Sequence, residues 1–313
     1  MKMNYRILAM LTMATFTIFT SCKKDDKPVN NPPDLSTEIT THSDDQNRVS
    51  SETDAVADDA GSFLEADAAF SGRMQDAQEI TSICGASAVL DTLSNPRTIT
   101  ITYNGLDCSG ARFRTGVIVL SMASNTRWKN PGAAINVNFQ NYKVKRLSDN
   151  KSITINGNQT YTNVTGGLLY QLSNLTNIIH TISSNNMSIT FDDNSQRVWQ
   201  IGRKRTYTYN NGIVLEVNGT HTIGNNNQVT EWGLNRFGHP FTTSITQGLV
   251  VKQSCAFRLT SGSIKHEGFA LSTVTFGLDS TGNPTGCPGA SPFYYKVTWT
   301  GPNGASAMAI IPY

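Results

Sequence analysis

The chain has 313 residues, 38 % of them apolar and 15 % charged, with a formal net charge of +2. That balance excludes the low-hydrophobicity, high-charge class of disordered chains and suits a sheet with one apolar face and one wet face. The small total hides an asymmetry, because residues 23–75 carry twelve acids against five bases while residues 76–313 carry eleven acids against eighteen bases. Opposite charges of this size would let the N-terminal segment lie back against the body at low salt, although the expectation is a solvated acidic spacer.

The chain opens with Lys2 and Arg6, then a thirteen-residue, mostly apolar run from Ile7 to Phe19, then Thr20-Ser21-Cys22 and Lys23-Lys24-Asp25-Asp26. A charged start, a short apolar stretch and small residues before the cut describe a secretory signal over 1–21, too short to span a bilayer. A signal ending on a cysteine resembles that of a bacterial lipoprotein. Only Ser21 sits close to the usual pattern of Leu, Ser or Ala, and Gly or Ala before the cysteine. The Bacteroidota version of this signal is looser, and Lys-Asp-Asp after the cysteine is similar to the export signal of Bacteroidota surface lipoproteins. The resemblance implies a diacylglycerol on the Cys22 thiol, an outer-membrane address facing the cell exterior, and the membrane as a partner through the anchor.

Residues 22–50, with Pro28, Pro32 and Pro33 among polar neighbours, show no hydrophobic period and read as a flexible tether. Residues 51–83 read as an acidic helical segment. Ser51-Glu52-Thr53-Asp54 suits a helix start, and Val56, Ala60, Phe63, Leu64 and Ala68 share a face, so a short helix is expected from about 52 to 71, ended by Gly72 and docked on the body or frayed.

From Ile99 the period becomes two. Ile99, Ile101 and Tyr103 alternate with threonines, and Ile135, Val137 and Phe139 alternate with Asn136, Asn138 and Gln140. The pattern continues through Ile153 and Ile155, Met187 to Phe191, Ile213 to Val217, Ile245 to Val251, Leu271 to Phe276 and Phe293 to Trp299. Turn signals between them include Asn104-Gly105, Asn130-Pro131-Gly132, Asn156-Gly157, Asn210-Asn211-Gly212 and Asn218-Gly219. Residues 84–313 are therefore expected to form an all-β body of about ten or more antiparallel strands, as a β-sandwich or an open barrel or meander.

Beyond Cys22 the body holds Cys84, Cys108, Cys255 and Cys287. An even number in an exported chain reads as disulfides, and although four cysteines permit three connectivities, the nearby pairs favour Cys84 with Cys108 and Cys255 with Cys287. Buried thiols are the alternative, and the spacing does not suit zinc. A wider resemblance rests on Cys108-Ser109-Gly110, Arg127-Trp128, Asn130-Pro131-Gly132, Phe139-Gln140-Asn141-Tyr142, Cys255, Phe276-Gly277 and Cys287, which together look like a group of Bacteroidota lipoproteins that carry no assigned activity. It lends fold and compartment but no catalytic residues.

Asp192-Asp193 is the only adjacent acid pair in the body, and a strand would send its side chains to opposite faces. The five histidines make no metal-ligand spacing, and no nucleophile elbow or phosphate loop occurs. No cofactor, metal or catalytic residue is therefore expected, and whether the chain is an enzyme stays open, with non-enzyme favoured. Trp128 and Trp232, with polar neighbours, are candidate platforms for a sugar ring. Trp299 is expected in the core. Basic residues recur two apart at Arg112 and Arg114, Arg127 and Lys129, Lys143 and Lys145, and Arg203 and Arg205, which places each pair on one strand face. They read as solvated outer charge, with acidic polysaccharide as the functional alternative and nucleic acid set aside by the compartment. Asp91-Thr92-Leu93 and Asp279-Ser280-Thr281 resemble the short O-glycosylation sequence of Bacteroidota, making Thr92 and Ser280 candidate sites. These readings favour a surface display or adhesive module, then a glycan-binding accessory lipoprotein of a polysaccharide-uptake system, then a surface hydrolase.

Overall fold

The computed structural model describes residues 35–73, 83–268, 270–287, 291–300, 304 and 306–313, and the side chains of 35, 36, 185 and 186 are left aside. Cys22, the signal over 1–21 and the first part of the tether lie outside the described residues. Two helices come first, α1 (Leu35–Ala66) and α2 (Ala68–Ser71). The first seven strands are β1 (Ala86–Asp91), β2 (Arg97–Leu106), β3 (Arg112–Met122), β4 (Ala133–Arg146), β5 (Ser152–Asn163), β6 (Ile178–Phe191) and β7 (Gln196–Tyr209). Eight more follow: β8 (Ile213–Gly219), β9 (His221–Ile223), β10 (Asn226–Leu234), β11 (Pro240–Lys252), β12 (Arg258–Glu267), β13 (Leu271–Leu278), β14 (Tyr294–Thr300) and β15 (Ser306–Pro312).

Among the described residues the fifteen strands belong to one sheet, and each pairing is antiparallel. Each strand pairs with its neighbour in sequence except around β8 to β10. There β8 and β10 share one slot: β10 pairs with β7 at Trp199–Ile201 and with β11 at Pro240–Ser244, while β8 pairs with β7 at Arg203–Tyr209 and with β11 at Leu249–Lys252. Of the architectures the alternation left open, the meander is the one found.

The alternation works as read. Ile99, Ile101, Ile118, Leu120, Ile135, Val137, Ile155 and Ile189 are at most 1 % exposed and form one core with Val49, Val56, Ala60, Phe63 and Leu64 of α1. One sheet face thus closes on the helix. A helix of 32 residues is about 48 Å long, close to the span of a 14-residue strand such as β4, so α1 runs along most of the sheet. No helix among the described residues is long and apolar enough to cross a membrane.

The helix starts well before position 52. Residues 35–50, read as tether, are its first half, and the buried series His42, Asp45, Val49, Glu52, Val56, Ala60, Phe63 follows the helical period with charged residues at several places. Polar residues on the buried face hid the period from a reading based on apolar spacing. The other end conforms: Asp67 caps α2 by accepting from Ala69 N at 2.8 Å, and Gly72, at φ 78°, closes it through its N–H to Ala68 O at 3.0 Å.

Three of the expected turns belong to strands. Asn104-Gly105 is paired with β3 near the end of β2, Asn156-Gly157 sits within β5 at a register shift, and Asn218-Gly219 ends β8. The Phe276-Gly277 pair likewise lies in β13, where the ladder shifts between Thr275 and Leu278. Both disulfides form in the favoured pairing, Cys84–Cys108 and Cys255–Cys287, with Cα separations of 5.1 and 5.2 Å. Beyond β12 the packing becomes local, with Phe276, Phe293, Tyr295 and Tyr313 clustered and Tyr313 Oη donating to Leu259 O at 2.6 Å.

Candidate functional site

The most concentrated chemistry lies between α1 and the inner sheet face. In β3 and β7 the arginine pairs Arg112/Arg114 and Arg203/Arg205 point inward, because residues two apart share a face and that face also carries Ile118 and Ile201. Glu52, 1 % exposed, receives Arg112 Nη1 at 2.5 Å, Arg114 Nε at 3.1 Å and Tyr142 Oη at 3.1 Å. Asp54 receives Arg203 and Arg205, the latter at 2.6 Å, and Arg205 also donates to Asp58 at 2.9 Å. Arg203 reaches Glu231 of β10, which accepts from Ser50 Oγ and from Trp199 Nε1 as well.

The series continues along the helix. Asp59 accepts from Tyr103 Oη at 2.8 Å, and Glu65 accepts from Leu169 N at 3.0 Å. Toward the N-terminal end, Asp44 takes a two-point contact from Arg146, and Asp45 takes another from Arg236 with both distances 2.7 Å. Glu38 meets Asn235 at 2.7 Å and His239 at 2.6 Å. With about 100° per residue, Asp54 and Asp59 point to different sides of the helix, one to β7 and the other to β2. Those strands are five places apart in the sheet, so the sheet curls around α1.

Burial and partners act on these groups in opposite directions. Burial pushes Asp59 up to about 6, against the Tyr103 hydrogen bond, and pushes Glu65 up to about 7, against the Leu169 N–H. Asp54 is partly buried, but Arg203 and Arg205 outweigh the desolvation and hold its carboxyl below the usual range. Under the first half of α1, His42 makes no hydrogen bond through either ring nitrogen and packs against Trp199, Phe241 and His266 at centroid distances of 5.6, 4.6 and 4.7 Å. Burial first, and His266 second, lower its pKa to about 3.

Several expectations need correction. Arg112, Arg114, Arg203 and Arg205 are not solvated outer charge; they are the inner partners of the helix, which occupies the face an acidic polysaccharide would need. Lys143 and Lys129 are exposed as expected, although Lys129 donates to Gly72 O at 2.6 Å, while Lys145 and Arg127 are half-buried and Arg127 donates to the carbonyls of Ser124 and Thr126. Trp128 is 2 % exposed and lies against His180, so it offers no face to a sugar. Trp232 is half-buried, with its ring on His221 at 4.3 Å. Trp299 is only half-buried rather than core. Asp192 and Asp193 pair with Arg236 at 2.8 and 3.7 Å. Thr92 and Ser280 both lie on exposed turns beside an aspartate that accepts backbone N–H groups, Asp91 from Leu93 and Ser94, and Asp279 from Thr281 and Asn283.

The helix acids were not among the candidate residues and the arginine pairs were expected on the outer face, although the charge asymmetry between residues 23–75 and the rest was the signal that joins them. Among the described residues no cluster of three or more His, Cys, Asp or Glu could hold a metal. Comparison with protein-family models, curated proteins and solved structures finds no match.

Proposed function

We propose that the chain is a lipid-anchored cell-surface protein whose role is display and adhesion rather than catalysis. The observation that carries this reading is the occupancy of the inner sheet face by the chain's own helix, which leaves the outer face to meet a partner. That face bears cross-strand rows of amide and hydroxyl side chains: Thr98, Ser121, Asn136, Thr160 and Ser183 lie in register across β2 to β6, and Asn138 pairs with Asn158 in the next row. Asn138 Nδ2 donates to Asn158 Oδ1 at 2.8 Å, and Gln140 Nε2 to Asn138 Oδ1 at 2.6 Å, so the row is ordered by its own hydrogen bonds.

Rigid amides and hydroxyls at strand spacing suit hydroxyl-rich ligands, and this favours the second reading, a glycan-binding accessory of a polysaccharide-uptake system, over a hydrolase. The test uses cells displaying the full chain on surfaces coated with glycoprotein or polysaccharide. Replacing Asn136, Asn138 and Gln140 together with alanine should lower adhesion about tenfold, equivalent to about 1.4 kcal/mol. Adhesion unchanged by these substitutions, or soluble fragments released from the coating, would overturn the proposal.

A further inference from the structure

In an antiparallel meander alternate turns share an end. The turns after β2, β4, β6, β10 and β12 lie at one end, where Leu106 faces Phe113, Lys145 faces Ser152, Thr190 faces Gln196 and Leu234 faces Pro240. Here the N-terminal part of α1 is held, through Asp44 on Arg146, Asp45 on Arg236 and Glu38 on Asn235. Its C-terminal part is fixed at the opposite end, where Trp128 N donates to Phe70 O and Arg97 to Ala69 O.

We propose that this first end, the one from which the chain leads back toward Cys22, rests on the lipid surface as a second contact beside the acyl anchor. It presents Leu106, Phe113, Leu147, Phe237 and Leu271, each 37 to 46 % exposed, on separate turns or strand ends. Lys143, Lys145 and Lys151 lie beside Leu147 on β4 and its turn. The acids at this end are engaged: Asp149 with Arg146, Asp192 and Asp193 with Arg236, and Glu38 with His239. Apolar tips flanked by lysines match a bilayer containing anionic headgroups, which attract basic groups within a Debye length and accept apolar side chains below them.

Exposed apolar residues alone do not choose the end, since Leu93, Val164 and Tyr170 are exposed at the other. Chain length does. Residues 23–34 leave thirteen Cα–Cα steps between Cys22 and α1, at most about 43–47 Å fully extended, which falls just short of the roughly 48 Å of the helix that the chain would have to run back along to bring the lipid to the far end. The inference rests on the lipid-anchor reading and adds an orientation to it.

The test uses the full acylated chain in vesicles of phosphatidylethanolamine and phosphatidylglycerol, with a fluorophore at Leu147→Cys, Phe237→Cys or, as control, Leu93→Cys, and spin-labelled lipid as quencher. Retention of the strand circular dichroism signal checks each variant. Flotation with the vesicles, together with at least about threefold more quenching at 147 and 237 than at 93, supports the contact. Flotation with equal quenching at all three positions overturns it while the anchor stands. A chain that neither floats nor carries acyl mass on Cys22 overturns the anchor reading, and the orientation falls with it.

Discussion

Glu52 shows how a single carboxylate sets the position of a helix. It accepts hydrogen bonds from β3 and β4 at once and is almost without solvent, so its removal leaves two guanidinium groups and a phenol uncompensated. Glu52→Ala is expected to cost about 3–5 kcal/mol by urea denaturation. Replacing Glu52, Arg112 and Arg114 together with apolar residues of similar volume should restore most of that loss, because buried ion pairs select a geometry more than they stabilise it. The pH dependence also belongs to particular residues. Glu65 has a folded pKa near 7 against 4.5, so the folded state holds its proton more tightly and stability falls as pH rises through that interval. Glu65→Gln should therefore stabilise the protein above pH 7 and change little below pH 4.5, as read from thermal midpoints across pH. His42 acts in the opposite sense. Its folded pKa near 3 against 6.5 means that stability is lost as pH falls from 6.5 toward 3, and His42→Phe should remove that component.

Among the elements, the strands were legible and half of the principal helix was not. Alternation of isoleucine and threonine in β2, or valine and asparagine in β4, reports directly which face is buried. The first half of α1 presents His42, Asp45 and Arg48 at the buried positions, and their burial makes sense only once Phe241, Arg236 and the Asp45–Arg48 contact at 2.6 Å are in place. Those partners stand up to nearly two hundred positions along the chain, where local spacing carries no signal. The inward direction of the arginine pairs was hidden for the same reason: spacing shows that Arg203 and Arg205 share a face but not which face it is. With its partners in place, α1 should exchange its amide hydrogens as slowly as β4 and β5, and markedly faster exchange over 42–64 would show that it is not part of the core. Gly116 tests the β3–β4 bulge. At φ 106° its position would drive a Cβ into the Asn141 backbone, so Gly116→Val is expected to cost about 1–3 kcal/mol or more, measured by chemical denaturation.

At the scale of the molecule, sequential pairing and two covalent clamps divide the chain into a helix-filled region and a thinner extension. Cys84–Cys108 ties the approach to β1 to the turn after β2, and Cys255–Cys287 ties the approach to β12 to the stretch after β13, each loop being worth about 3.5 kcal/mol on the chain-entropy model. Reduction should lower the melting temperature by about 7–14 °C per bridge. The change should register first in β12 to β15, whose packing is a small aromatic cluster rather than a helix.

The divided slot between β7 and β11 has a consequence for sequence change. Because β8 and β10 lie end to end in one lane of the sheet, the hairpin around β9 leaves that lane and returns to it, with Thr220 N bonded to Val229 O at the point of departure. Extra residues placed at the tip, Gly224 and its neighbours, would lengthen an outgrowth while every ladder partner on either side kept its place. The fold thus contains a built-in port for foreign loops, and peptide tags or new epitopes spliced at 224 should leave the melting profile of the host unchanged.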